Sequence, residues 1–255
     1  MAVNELSPDE LARYARQLGP GVLSPKGQLR LKNSAALVTR TGGMGGPAAL
    51  SLVTAGVGRV IVAHGGPMIS PDLNRQILGC EQLVGGPRMP AFAEYLRTMN
   101  RFVAVEGIDH EPDDQEALEL VRRVDVVLSC APTFDERYRL NRAAVAAGVP
   151  LIDAAQWGIS GTLVAVDPGR TACLECVYPE EPEFEKDFPV VGAISSAIGA
   201  LAALEAIKIL SGTGRPMFGR LWMIDAYQGI SSIVELQRRA DCPCCGAARA
   251  ATTTS

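Results

Sequence analysis

The sequence lacks three features, and each absence excludes a class of function. It has no basic run or polybasic tail, and its net charge is −4, so nucleic acid is not expected as a partner. Its first residues do not form a secretory leader, which predicts a reducing, cytoplasmic environment. Its longest apolar stretch, Val190 to Leu210, is interrupted by Ser195, Ser196, Glu205 and Lys208. That interruption predicts a buried core helix and no membrane span.

Cysteine is present, and its spacing suits a metal ion. Cys173-Leu-Glu-Cys176 and Cys242-Pro-Cys-Cys245 are two pairs with the two-residue gap that lets a tight turn offer two thiolates. Four thiolates complete the tetrahedral coordination of zinc and leave no open position, which predicts a structural clip. Disulfides are the alternative. Cys244, between the members of the second pair, would invite scrambling among them.

Buried strands alternate with helices in the first part of the chain. An apolar strand at Ala35 to Thr39 is followed by a glycine-rich turn, a helix at Pro47 to Ala55 and a second strand at Arg59 to Ala63. This unit is typical of an α/β fold with a parallel, doubly wound, Rossmann-like sheet. From about residue 156 the pattern changes to antiparallel strands and one long helix. We expect those strands to extend the parallel sheet.

The glycine-rich turn is a candidate phosphate site. Gly42, Gly43 and Gly45 would let backbone N–H groups and a helix N-terminus face an anion. Glycines also allow close helix–sheet packing, so the motif by itself leaves both interpretations open. The second strand ends at His64, where nucleotide-binding folds usually carry a carboxylate for ribose. His64 would bind a ribose hydroxyl or be an ordinary loop residue, and the missing acid argues against a nicotinamide-dependent dehydrogenase.

Further motifs accompany the glycine loop and the cysteine pairs. They are Arg13-Tyr14-Ala15-Arg16-Gln17, Leu73-Asn74-Arg75-Gln76, Val84-Gly85-Gly86-Pro87 and Glu205-Ala206-Ile207-Lys208. In this combination the chain resembles the MoeB/ThiF/HesA family, bacterial relatives of ubiquitin-activating enzymes. The resemblance implies ATP-dependent adenylation of a carboxylate, usually with magnesium. The usual acceptor is the C-terminal glycine of a ubiquitin-like sulfur-carrier protein, a small carboxylate substrate being the other possibility, and the usual assembly is a homodimer.

The resemblance also implies a domain organisation. We expect one adenylation domain over residues 1–246, with a nucleotide-binding half at about 34–155 and a zinc-bearing, antiparallel half at about 156–246. The remaining residues, 247–255, are small and polar, and we expect them to be disordered.

Several side chains match functional positions of the family. Arg75 matches a phosphate-facing arginine, Arg88 a phosphate-binding lysine, and Arg16 an arginine that the dimer partner donates. A surface salt bridge is the alternative for each arginine. The nucleotide-binding set that the resemblance implies is Gly42, Gly43, Gly45, His64, Asp72 and Arg75.

The chain also departs from the family pattern. Arg40 replaces the first glycine of the loop, Asp72 replaces an asparagine, and Pro132 replaces the aspartate that holds magnesium, with Asp135 as the next carboxylate. Proline offers neither a carboxylate nor an N–H. Cys130, a thiol at a strand end, is more simply explained by packing than by nucleophilic chemistry. Two hypotheses follow: an adenylating enzyme, or a catalytically silent homologue that docks a carrier protein or pairs with an active relative.

Overall fold

A computed structural model describes residues 4–183 and 188–246. Its strands form one eight-stranded sheet in the order β3-β2-β1-β4-β5-β6-β7-β8. The strands are β1 Ala35–Thr39, β2 Arg59–Ala63, β3 Ala104–Ile108, β4 Val126–Ser129, β5 Leu151–Trp157, β6 Ser160–Val166, β7 Arg220–Asp225 and β8 Ile230–Glu235. The α-helices are α1 Pro8–Tyr14, α2 Pro25–Lys32, α3 Gly45–Ala55, α4 Arg88–Met99, α5 Asp114–Val121, α6 Phe134–Ala147, α7 Leu174–Val177 and α8 Gly192–Ser211.

The sheet has the predicted parallel half and the predicted antiparallel extension. Strands β3, β2, β1, β4 and β5 run parallel, and β5 through β8 form an antiparallel meander. The strand order reverses between β1 and β4, the topological switch point at which open α/β sheets bind ligands. Residues Thr39, Ala63, Ile108 and Ser129 are register partners along this half, so the carboxyl ends of four strands lie level.

The two faces of the sheet have separate cores. One contains α3, α4 and α8 residues and holds the completely buried side chains of Phe92 and Ile198. The other contains residues of α5 and α6 together with the cysteines of the C-terminal half. Strand β1 is buried along its whole length, as a strand covered on both faces should be.

Helix α8 is the predicted core helix. Its length and apolar composition would suffice to cross a membrane, but Ala202, Ala203 and Ala206 are completely buried. The buried carboxylate of Glu205 accepts a hydrogen bond from the Met217 backbone N–H at 3.0 Å. Glu205 therefore has a partner inside the protein, which supports packing of the helix against the sheet.

Two glycines of α8 bring the helix against the loops that follow β1 and β2. A Cβ at Gly199 would lie 2.1 Å from the carbonyl oxygen of Met44, and one at Gly192 would lie 2.1 Å from that of Asn74. No side chain fits at either position, because real Cβ atoms do not approach backbone this closely. The helix thereby fixes the glycine loop and the Leu73–Gln76 motif in one arrangement.

Two sequence predictions stay predictions. The division into halves at about residue 155 runs through one continuous sheet, and the expected disordered tail, 247–255, lies outside the described residues.

Candidate functional site

The cysteine pairs meet, as predicted, in one buried cluster. The sulfur atoms of Cys173, Cys176, Cys242 and Cys245 all lie within 4.8 Å of one another. The Sγ atoms of Cys173 and Cys242 are 3.6 Å apart and those of Cys176 and Cys245 are 3.4 Å apart, far longer than the bond of a disulfide. This donor set fits zinc in a closed, structural site. The ion would tie α7 to the C-terminal segment.

The fifth nearby thiol is not part of this cluster. Cys244 is half-buried, and its Sγ accepts a hydrogen bond from the Asn141 side-chain amide at 3.3 Å. The Asn141 side-chain oxygen in turn accepts a hydrogen bond, 2.9 Å long, from the backbone N–H of Leu174, the first residue of α7. Asn141 therefore links α6 to both cysteine turns.

We predict that Cys173→Ser or Cys245→Ser lowers the zinc content of the purified protein and its melting temperature, because a three-sulfur site holds structural zinc poorly. Elemental analysis and thermal unfolding measure the two effects. The control is Cys80→Ser, since Cys80 is exposed and lies outside the cluster. Wild-type protein that purifies without zinc would refute the clip.

A cavity of about 380 Å³ opens at the carboxyl ends of the parallel strands. Its lining includes Gly42 and Gly43 after β1, His64 after β2, and Cys130 to Pro132 after β4. Six of the predicted site residues line it: Gly42, Gly43, His64, Asp72, Arg75 and Arg88. The topology explains this convergence, since the loops after neighbouring parallel strands meet at one edge.

Two predicted residues do not line the cavity. Gly45 is the buried first residue of α3, and a Cβ there would lie 2.5 Å from the carbonyl oxygen of Arg40. Its glycine is explained by this close backbone approach. Arg16 is exposed on the segment after α1 and lies outside the cavity of its own chain.

The glycine loop serves packing and leaves space for an anion. A Cβ at Gly42 would lie 2.9 Å from Cε1 of His64, and one at Gly43 would lie 3.2 Å from Cγ and Cδ of Arg75. The absence of these side chains lets His64 and Arg75 lie against the backbone. The loop leads directly into α3, whose first N–H groups have no partner within the helix and favour negative charge.

Asp72 holds the two predicted phosphate-binding arginines together. Its Oδ1 lies 3.2 Å from Nη2 of Arg75, and its Oδ2 lies 3.2 Å from Nη1 of Arg88. Two guanidinium groups and one carboxylate leave a net charge of about +1 at this wall of the cavity. An anion entering the cavity therefore meets a fixed positive group.

The two arginines differ in burial and in their hydrogen-bond partners. Arg88 is buried, donates to the side chain of Gln76 at 2.9 Å and to the carbonyl of Gly66 at 3.2 Å, and also contacts the carbonyl of Pro67. Arg75 is more exposed, and within the described part of the chain it donates to neighbours of its own loop, including the carbonyl of Pro71 at 2.8 Å. Arg88 thus shapes the loop, and Arg75 is better placed to turn toward a ligand.

His64 occupies the place of the missing carboxylate as a neutral imidazole. It is 7% exposed, and burial, followed by the charge of Arg88, lowers its pKa to about 4. Its Nδ1 finds no hydrogen-bond partner among the described residues. A buried nitrogen beside a cavity is costly to leave unpaired, so a hydroxyl of a bound ligand would satisfy it.

The loop after β4 offers no magnesium ligand at the family position. Pro132 lines the cavity, and the side chain of Asp135 is 75% exposed and pairs with Arg139 at 2.8 Å. Two described carboxylates line the cavity: Asp72, which is already bonded to two arginines, and Glu183, which is exposed. Magnesium is usually held by one or two carboxylates together with substrate phosphates, so Glu183 is the candidate ligand that remains in the described lining.

Cys130 is a packing residue. Burial, reinforced by the charge of Asp153, raises the pKa of its thiol well above the usual range. The thiol is therefore neutral at physiological pH and a poor nucleophile.

Sequence reasoning did not find a second ion pair at the cavity. Arg137 lines it and donates from Nε to Oδ1 of Asp153 at 3.0 Å and from Nη2 to Oδ2 at 2.5 Å. The guanidinium lies 4.1 Å from the ring centroid of Phe134 and 5.3 Å from that of Tyr178. No sequence spacing indicates this pair, since its members come from α6 and β5.

Part of the cavity lining is aromatic. Trp157 and Phe188 lie there with ring centroids 6.3 Å apart, beside Gln156. The buried Oε1 of Gln156 has no hydrogen-bond partner among residues 4–183 and 188–246. This part of the lining therefore offers apolar surface and one acceptor without a partner among the described residues.

Comparisons with known proteins agree with this geometry. The sequence model of the ThiF family matches residues 14–244 of this chain. The chain belongs to the ThiF family. The heterocyst protein HesA of Trichormus variabilis is 40% identical over 242 residues, which cover 94% of this chain and 91% of that protein. The adenylyltransferase and sulfurtransferase MOCS3 of Sus scrofa is 37% identical, over 94% of this chain but only 54% of its own length.

Solved structures share the fold. The crystal structure of Escherichia coli MccB with ATP superimposes with a TM-score of 0.76 at 22% identity, covering 87% of this chain and 68% of that one. At this identity the likeness shows the fold alone. The predicted α/β fold and family are confirmed.

We predict that His64→Gln makes the fold less sensitive to acid. The pKa of His64 is about 4 in the folded protein against 6.5 ordinarily, so between these values the unfolded state binds more protons and stability falls as pH falls. The wild type should lose on the order of 1–2 kcal/mol between about pH 7 and pH 5 from this group alone. Urea unfolding at both pH values measures the loss.

The matched control for this prediction is His110→Gln. The side chain of His110 is exposed and pairs with Glu116 outside the cavity, so this variant should keep the acid sensitivity that His64 causes. An equal pH-dependent loss in wild type and His64→Gln would show that His64 does not titrate this way.

Proposed function

We propose that this protein uses ATP to adenylate a carboxylate. The observation that carries the proposal is that one cavity is lined by Gly42 and Gly43 and by two arginines. These are Arg75 and Arg88, which Asp72 holds together. A glycine loop before a helix binds phosphate through backbone N–H groups, and arginines neutralise the charge that phosphate carries. Membership of the ThiF family supports the same ligand.

The proposed step needs both features. A carboxylate oxygen attacks the α-phosphorus, the bond between the α-phosphorus and the bridging oxygen breaks, and pyrophosphate leaves with the electron pair. Both reactants are anions, so fixed positive charge must reduce their repulsion and stabilise the leaving group. Arg75 and the N-terminus of α3 would supply that charge. No step is assigned to magnesium, because Pro132 stands where the resemblance implies its aspartate ligand.

The acceptor is proposed to be the C-terminal carboxylate of a ubiquitin-like carrier protein or a small carboxylic acid. It would enter along the lining formed by Gln156, Trp157 and Phe188. Strand β8 supports a protein acceptor, since it ends the sheet order and exposes Ile230 and Ile233. Edge strands with apolar side chains can pair with a partner strand.

We further propose that the active form is a homodimer, in which Arg16 of one chain completes the cavity of the other. Arg16 is exposed and lies outside its own cavity, as a residue that acts across an interface should. Arginines supplied from a second chain stabilise charge in phosphoryl-transfer enzymes in the same way.

A catalytically silent homologue is the second candidate. Pro132 at the cavity and the outward-facing Asp135 favour it, since the loop after β4 has lost its metal-binding carboxylate. Such a protein would keep the zinc clip and an interface for a carrier protein without turnover. Failure to bind ATP in calorimetry, with and without magnesium, would favour this candidate.

We predict that Arg75→Ala reduces exchange of labelled pyrophosphate into ATP by about 100-fold, because it removes a positive group aimed at the phosphates. Exchange is measured in the presence of a carrier protein ending in Gly-Gly or of a small carboxylic acid. Arg170→Ala is the control, since the Arg170 side chain is 83% exposed and pairs outside the cavity. Equal exchange by the two variants would remove Arg75 from the mechanism.

We predict that two inactive variants restore activity when they are co-expressed. If Arg16 acts across the interface, a mixed dimer of Arg16→Ala and Arg75→Ala has one intact site and one doubly defective site. Random pairing should then recover about a quarter of wild-type exchange. Recovery is measured against each variant expressed alone, and its absence would mean that Arg16 does not act in trans.

A further inference from the structure

Arg40 joins the ends of separate elements through its side chain. Its Nη1 lies 2.8 Å from Oε1 of Glu111, and its Nε and Nη2 donate to the two carboxylate oxygens of Glu136 at 2.7 and 2.5 Å. We call these three residues the Arg40 clasp. The clasp uses every nitrogen of the guanidinium group and carries a net charge of about −1.

The clasp lies along the edge of the sheet where ligands bind. Arg40 directly follows β1, Glu111 follows β3, and Glu136 lies in the first turn of α6, after β4. The ends of these strands are level with the end of β2, and Glu111 also accepts the backbone N–H of Gly65, just after β2, at 2.8 Å. The clasp therefore spans the carboxyl edge of four strands across the switch point.

Arg40 also divides the space at this edge. Its side chain lines the large cavity, whereas the two glutamates line a small separate hollow with Thr39 and Arg139. In doubly wound folds the phosphates lie at the glycine loop and the ribose lies at the end of the second strand. The nucleoside end of a bound nucleotide would thus meet His64 and the clasp, while its phosphates meet Arg75.

The backbone of Arg40 adopts an unfavourable, left-handed conformation. Its φ is +51°, and no other non-glycine residue among those described has a positive φ. A residue with a Cβ adopts this left-handed conformation at a cost, which the surrounding contacts must offset. The ion pairs with Glu111 and Glu136 are the contacts that hold the side chain in place.

We propose that the Arg40 clasp sets the affinity of the site for nucleotides. It keeps the nucleoside end of the cavity closed, and it must release Glu111 and Glu136 when a nucleoside triphosphate binds. A bare triphosphate binds at the glycine loop and Arg75 without opening it. This inference rests on the proposed use of ATP. It adds that the measured affinity for ATP is weaker than that of the open form, because the clasp must open before the nucleoside can bind.

Calorimetry with ATP and with inorganic tripolyphosphate tests the clasp. Arg40→Gly relieves the backbone and removes the guanidinium, Arg40→Asn keeps a side chain that tolerates positive φ, and the double variant Glu111→Gln/Glu136→Gln weakens the clasp without changing the lining of the large cavity. All three should bind ATP at least about tenfold more tightly than wild type, as expected if the open form is a minor one. For Arg40→Gly and Arg40→Asn the affinity for tripolyphosphate should change less than about twofold, whereas the double variant, which frees the Arg40 guanidinium at the cavity, should bind both polyanions more tightly.

The outcomes separate this inference from the proposed function. If tripolyphosphate and ATP both bind the wild type but Arg40→Gly binds ATP no more tightly, the clasp is not a gate and the phosphate site stands. If Arg40→Gly weakens both ligands, Arg40 is a phosphate ligand and the inference is wrong. If neither ligand binds any form of the protein, the proposed use of ATP fails and the inference fails with it.

Discussion

The pairing of Asp72 with Arg75 and Arg88 is the interaction on which the candidate site depends. Two guanidinium groups this close would repel each other, and Arg88 is buried where an unpaired charge is costly. Asp72, 4% exposed, bonds both arginines and also accepts the backbone N–H of Ile69 at 3.1 Å. The carboxylate thus fixes the cations and leaves enough positive charge for an anion.

Close backbone contacts of helix α8 hold the loop that carries this cluster next to the glycine loop. Gly199 and Gly192 of α8 lie directly against Met44 and Asn74, so one helix sets both the phosphate loop and the arginine loop. The four clustered cysteines lie in the core on the other face of the sheet, at α7 and the C-terminal segment. Helix α6 connects the two regions, because its Phe134 lines the cavity and packs in one cluster with Leu174 of the first cysteine turn.

Much of this architecture could be predicted from the sequence, because it rests on local signals. Apolar strands, the glycine turn after β1 and the two-residue gaps between cysteines each indicate one local structure. The position of Asp72 and Arg75 at the candidate site was predicted from the resemblance to the family. The pair of Arg137 with Asp153, the Arg40 clasp and the free Oε1 of Gln156 could not be predicted. Each depends on residues that only the folded sheet brings together.

The departures from the family pattern are related in the structure. Where the resemblance implies asparagine and lysine, this chain has Asp72 and Arg88, whose side chains are paired at 3.2 Å. Where the resemblance implies glycine, this chain has Arg40, which pairs with two glutamates. A crystal structure of the protein with a non-hydrolysable ATP analogue tests the phosphate site most directly. The triphosphate should lie within hydrogen-bonding distance of Gly42 or Gly43 N–H and of Arg75, and a triphosphate bound elsewhere, or a cavity without it at saturating concentration, would contradict the proposal.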